Sequence, residues 1–128
     1  MNDDIGAIAA GMNQNYDTKT LNFHYQSPFT YMQQYEYNHG TKAKKMMQEI
    51  KLMGKPAINR EEFACEQVMV PAHDGEQIPM NLYFKKGTVK MNRRNRVIME
   101  GYGAYGIPMA QNFDLIKVAA MERGWVVA

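Results

Sequence analysis

Sulfur chemistry has a single foothold in this sequence, because Cys65 is the only cysteine among 128 residues. No internal disulfide can form, and neither a zinc knuckle nor a Cys-x-x-Cys redox pair is available. That suits a reducing compartment and gives no reason to expect a metal or a cofactor. No run reaches the ~18 consecutive apolar residues that a membrane-spanning helix needs. The apolar residues 5–12 are broken by Gly6 and Gly11, and Asp3 and Asp4 stand where a secretory leader carries Lys or Arg. The expectation is a cytoplasmic chain with no membrane partner. Excess charge is lacking too: 15 basic and 13 acidic residues leave +2, too little to argue for nucleic acid as a partner. Serine occurs once, as Ser27 between Gln26 and Pro28, and without flanking glycines it reads as a structural turn residue.

Methionine, by contrast, occurs twelve times. The residues have no regular spacing, so they read as adaptable core filler rather than as a metal-binding cluster. A chain of this length supports one domain, burying roughly two-thirds of the surface its unfolded form exposes.

The first half carries meander signals. Leu21, Phe23 and Tyr25 alternate with polar residues and share one face of an expected strand. Ser27-Pro28 breaks the run, and Tyr31, Tyr35 and Tyr37 mark a second strand that closes in the turn Asn38-His39-Gly40-Thr41. Residues 42–53 place Ala43, Met46, Met47 and Ile50 at helical spacing, so periodicity favours a helix. Gly54-Lys55-Pro56 ends that segment, residues 56–62 read as a linker, and a domain boundary is expected near residue 62.

The pattern then changes. Residues 65–71 and 78–86 read as a hairpin around the turn His73-Asp74-Gly75-Glu76. Lys85, Lys86, Lys90, Arg93, Arg94 and Arg96 form a basic stretch without interleaved aromatics, hence a solvated connection rather than a nucleic-acid surface. Residues 96–100 form a strand. Residues 114–123 show helical spacing at Leu115, Val118, Ala119 and Glu122, with Asp114 at the start and Gly124 at the end. Trp125 opens a further strand, so the order strand, loop, helix, strand predicts a βαβ unit.

Between the strand at 96–100 and the helix lies Gly101-Tyr102-Gly103-Ala104-Tyr105-Gly106. Its glycines match the bare spacing of a dinucleotide fingerprint, but that motif needs the helix to begin at once. Here Pro108 intervenes, the helical pattern waits until residue 114, and two tyrosines occupy the place of a close pyrophosphate approach. The other use of such a loop is to aim donors at a developing oxyanion, each worth ~3 kcal/mol in the transition state. A loop after the third strand serves this purpose in α/β-hydrolases.

Asp74-Gly75-Glu76-Gln77-Ile78-Pro79, Lys85-Lys86-Gly87, the Gly-Tyr-Gly-Ala-Tyr-Gly loop and Arg123-Gly124-Trp125-Val126 together resemble the start of the catalytic domain of the prolyl oligopeptidase family of serine peptidases. The form of the loop is more like oligopeptidase B. Upstream, Tyr25-Gln26-Ser27-Pro28 and Tyr35-Glu36-Tyr37 with the Gly40 turn resemble the last part of that family's β-propeller. The resemblance implies residues 1–62 as the end of a β-propeller and residues 63–128 as the opening strands and first helix of an α/β-hydrolase domain, an incomplete fold. It also implies a strand and a crossing linker over residues 42–53, against the helical periodicity. Tyr102 matches the tyrosine whose hydroxyl lines the oxyanion hole, and Tyr105 an aromatic position near the substrate cleft.

The family's nucleophile lies in a Gly-x-Ser-x-Gly elbow with a separate aspartate and histidine, all downstream of the matching region. None has a counterpart here: Ser27 lacks the elbow, Cys65 sits in a strand without a nearby cation to lower its thiol pKa, and His24, His39 and His73 read as strand or turn residues. The implied function is a fragment of a peptidase that hydrolyses short peptides after basic residues, inactive alone, whose partner would be the missing catalytic segment. The carboxylates that would read a basic side chain are not identifiable. The alternative is a non-catalytic chain that binds a protein partner, or half of a split enzyme, through its open sheet edges.

Overall fold

Eight strands and one α-helix form among the residues that the computed structural model describes, namely 5–53, 58–90 and 94–128. They build two four-stranded sheets, and the chain divides into two compact units, 1–58 with 110–113, and 59–109 with 114–128. The expected stop at Gly54-Lys55-Pro56 lies outside the described residues, as do Asp3, Asp4 and Arg93.

The first unit is an antiparallel meander of β1 (Ala7–Ala10), β2 (Thr20–Ser27), β3 (Thr30–Asn38) and β4 (Lys44–Glu49) in the order β1-β2-β3-β4. The register places Leu21 opposite Tyr37, Phe23 opposite Tyr35 and Tyr25 opposite Gln33, so the alternating residues of β2 and β3 share one face. Tyr25 and Tyr35 are buried, and the Phe23 and Tyr35 rings stack with centroids 5.3 Å apart, an arrangement worth about 0.5–1.5 kcal/mol beyond the area it buries. Ser27 is fully buried, and its Oγ accepts a hydrogen bond from the Phe29 N–H across the hairpin turn at 3.3 Å.

The glycines that interrupt the apolar residues 5–12 flank β1 where it approaches β2. A Cβ on Gly6 would stand 2.7 Å from the Tyr25 ring, and one on Gly11 would stand 3.1 Å from the Asn22 backbone. Residues 110–113 belong to this unit: Gln26 Nε2 donates to Asn112 Oδ1 at 2.9 Å, and the Phe113 ring lies 4.4 Å from that of Tyr31.

Periodicity alone misreads residues 42–53. They contain strand β4, paired with β3, as the family resemblance implies. The register passes from Gln34 opposite Gln48 to Tyr35 opposite Met46, leaving Met47 as the extra residue of a bulge. One bulged residue shifts the alternation by one and so mimics helical spacing at Met46, Met47 and Ile50.

In the second unit a short 3-10 turn, Arg60–Glu62, is capped by Asn59 and leads into β5 (Phe63–Pro71). Lys85 Nζ meets Glu62 at 2.8 Å, and its hydrogen bond and charge hold the Glu62 carboxyl below the usual glutamate value. β6 (Gln77–Lys85) pairs with β5 along its full length, the turn between them using Gly75 at φ +91°. β7 (Arg96–Ile98), α1 (Leu115–Glu122) and β8 (Trp125–Val127) complete the sheet in the order β5-β6-β8-β7. β7 and β8 are parallel, joined through α1, which is the βαβ connection the sequence pattern predicts.

Asp114 caps α1, its Oδ1 accepting from the Ile116 N–H at 2.7 Å, and Gly124 at φ +79° ends the helix. The buried residues of α1 are Val118 and Met121, whereas Leu115 is exposed. The apolar face is therefore rotated from the expected stripe of Leu115, Val118, Ala119 and Glu122. Phe63, Tyr83, Phe84, Val126 and Val127 complete the buried set of this unit.

Tyr83 faces Cys65 across β5 and β6. Burial, helped by the neighbouring thiol, pushes its phenol up from 10.0 to about 12. A group whose folded pKa is raised contributes stability that is complete below its unfolded pKa and disappears as pH climbs through its folded pKa. Stability should thus decline between pH 10.0 and about 12. Urea midpoints across that range should fall less steeply for Tyr83→Phe than for the parent chain; parallel slopes would contradict the assignment.

Candidate active-site loop

Residues 101–106 leave from the carboxyl end of β7. The parallel ladder continues past the strand, with the Ala128 N–H donating to Ile98 O at 2.8 Å and the Glu100 N–H donating to Ala128 O at 2.9 Å. Side chains and backbone groups beyond the carboxyl ends of parallel strands are the usual place for a ligand in such sheets. The loop therefore emerges where chemistry is expected, from a stem that the sheet holds.

Of its three glycines, Gly106 is required by the backbone. Tyr105 at φ +58° and Gly106 at φ +64° are the central pair of a turn closed by Ile107 N–H donating to Ala104 O at 3.2 Å, the combination of two positive φ angles that defines type I′. Tyr105 adopts a conformation that a bulky residue rarely takes. Gly101 and Gly103 have no positive φ, and a Cβ on either would meet nothing within 4 Å. Packing among the described residues does not demand glycine at those two positions.

Tyr102 is 50% exposed and Tyr105 90%. Among the described residues neither hydroxyl has a hydrogen-bond partner. A packed loop aromatic with its hydroxyl satisfied nearby is the ordinary alternative for Tyr102. The first helical residue after Gly106 is Leu115, so the loop is not a helix N-terminus of the kind that cradles a pyrophosphate.

The other residues singled out by sequence lie elsewhere. Cys65 is on edge strand β5, opposite Tyr83. His73 lies in the β5–β6 turn, which the Gly75 N–H closes on Ala72 O, and Ser27, His24 and His39 belong to the first unit. Among the described residues the Nδ1 atom of His24 is buried without a partner. What sequence reading misses is the pairing of Glu100 with Lys117, whose Nζ stands 2.6 Å from Glu100 Oε2. The two are far apart in sequence, and no local pattern signals their contact.

No protein-family model matches the chain. Among curated proteins, dipeptidyl aminopeptidase BI of Pseudoxanthomonas mexicana is 30% identical over 98% of this chain. The chain belongs to the prolyl oligopeptidase family. A second member, a prolyl endopeptidase of Elizabethkingia meningoseptica, is 28% identical over 94% of the chain. The 128 residues cover 17% of the first relative's length and 16% of the second's. Among solved structures, oligopeptidase B from Trypanosoma brucei with covalently bound antipain superimposes with a TM-score of 0.85 over 99% of the chain, at 21% identity, and the match covers 18% of that protein. The family fold is thus shared along this segment. Among the described residues no helix is long and apolar enough to cross a membrane.

Proposed function

We propose that these residues form part of a cytoplasmic serine peptidase of the prolyl oligopeptidase family, with residues 63–128 as the opening of its α/β-hydrolase domain and residues 1–62 as the end of its β-propeller. The observation that carries the reading is Tyr102, half-exposed, its hydroxyl uncommitted among the described residues, on a loop at the carboxyl end of β7.

In acyl transfer the carbonyl oxygen of the scissile bond gains negative charge as the serine attacks. A donor already aimed at that oxygen stabilises the transition state more than the ground state, and this difference accelerates the step. A phenolic hydroxyl is more acidic than an alkyl one and suits this role. The family's second donor is the backbone amide after the nucleophilic serine. Tyr102 would therefore supply one half of the oxyanion site, and Tyr105 an aromatic surface near the cleft. Short peptides are the substrate class, and the preference for basic residues follows from the likeness to oligopeptidase B.

The 128 residues contain no serine besides Ser27, and Ser27 is fully buried. Incubated alone with an arginyl ester and a serine-directed phosphonate, the chain should show no hydrolysis above the uncatalysed rate and no adduct by mass spectrometry. A stoichiometric adduct at any residue would overturn the assignment.

A further inference from the structure

The conformation of residues 101–103 has little local support. Among the described residues they make no hydrogen bonds of their own, and two of the three are glycines, which have the widest backbone freedom. The direction of Tyr102 is therefore inherited from Glu100. That residue is held twice: its N–H donates to Ala128 O at 2.9 Å, and its carboxylate meets Lys117 Nζ at 2.6 Å.

We propose that Lys117 is a positioning residue for Tyr102, acting through its ion pair with Glu100. Lys117 stands in the first turn of α1, where the helix dipole disfavours a cation, so its charge is not placed to stabilise the helix. It is next to Val118, which is 2% exposed and fixes this part of α1 against the sheet. The pair thus ties the stem of a glycine-rich loop to a helix that packs on β6 and β8. The side chains are 27% and 42% exposed, so the tie is sheltered in part and sensitive to salt. The inference deepens the reading of Tyr102 given above and rests on it for its functional meaning.

Backbone relaxation of the 128-residue chain tests the brace independently of any activity. In Lys117→Met the order parameters of the Gly101 and Gly103 amides should fall well below those of the parent chain, into the flexible range under about 0.6, while those of α1 and β8 hold. Lys117→Gln should do the same, and the reversed pair Glu100→Lys with Lys117→Glu should restore the parent values. Unchanged glycine order parameters, or a reversed pair that fails to restore them, would overturn the brace.

The functional half is read in dipeptidyl aminopeptidase BI carrying these residues in place of its matching segment. There Lys117→Met should lower kcat about tenfold with KM unchanged, as misplacement of a donor does, and should have no further effect once Tyr102 is Phe. Additive losses would show that Lys117 acts elsewhere. If loop order falls in the isolated chain while Tyr102→Phe leaves kcat intact, the brace stands and the reading of Tyr102 fails.

Discussion

Tyr102→Phe should lower kcat by about 10²–10³-fold, the cost of deleting one oxyanion donor, when the 128 residues replace the matching segment of dipeptidyl aminopeptidase BI. The expectation rests on what the substitution removes. Phenylalanine keeps the ring and deletes the hydroxyl, so loop packing is preserved while the donor is lost. The missing interaction is one made with the developing charge, so kcat and kcat/KM should fall together and KM should change little. Tyr105→Phe in the same setting is the control, because its hydroxyl is given no part in the chemistry. An unchanged kcat for Tyr102→Phe would remove Tyr102 from the reaction.

Met121→Ala should destabilise the second unit by about 2–5 kcal/mol, the usual cost of truncating a buried methionine that leaves a cavity. Met121 is 1% exposed, in the same buried set as Val118 and Val127, both 2%. A loss of that size is a large fraction of the ~5–15 kcal/mol that holds a domain folded. Trp125 is the only tryptophan and sits at the start of β8, so its fluorescence in urea reports this unit rather than the first. Ile116→Ala on the same helix, at a residue 77% exposed, should change the unfolding free energy by less than about 0.5 kcal/mol. Equal shifts for the two variants would contradict the packing described for α1.

Where one physical rule governed a segment, the sequence displayed the structure. β2 and β3 share a face on period two, which Leu21, Phe23, Tyr25, Tyr35 and Tyr37 mark and which is buried at Tyr25 and Tyr35, while Leu21 is exposed. The cap at Asp114 and the stop at Gly124 were equally visible, because each supplies a chemical group or backbone conformation that a helix end needs. Where two rules overlapped, the pattern misled. The bulge at Met47 imposed helical spacing on a strand, and only the order of motifs along the chain pointed to the right element. The face of α1 was shifted because Met121, read as generic filler, is the residue its sheet buries most fully.

Tertiary contacts were least legible. β1 depends on Gly6 clearing the Tyr25 ring, a close approach that looks in sequence like a mere interruption. The candidate site divides in the same way. The Gly-Tyr-Gly-Ala-Tyr-Gly string announced a loop of unusual backbone, and its distance from the helix excluded a phosphate cradle. The separate duties of its glycines did not show: Gly106 serves a type I′ turn, while Gly101 and Gly103 meet no close neighbour among the described residues. The Glu100–Lys117 pair arises only because β7 and α1 are brought together by the βαβ connection.

The most direct measurement is a crystal structure of the segment-replaced dipeptidyl aminopeptidase BI with a peptide aldehyde bound covalently to its serine. The hemiacetal oxygen then stands where the oxyanion forms. Tyr102 Oη is expected about 2.7–3.1 Å from that oxygen, within the range of a working donor, with Lys117 still paired to Glu100. A hemiacetal oxygen held by water or by other donors, with Tyr102 turned away from it, would exclude Tyr102 as an oxyanion donor.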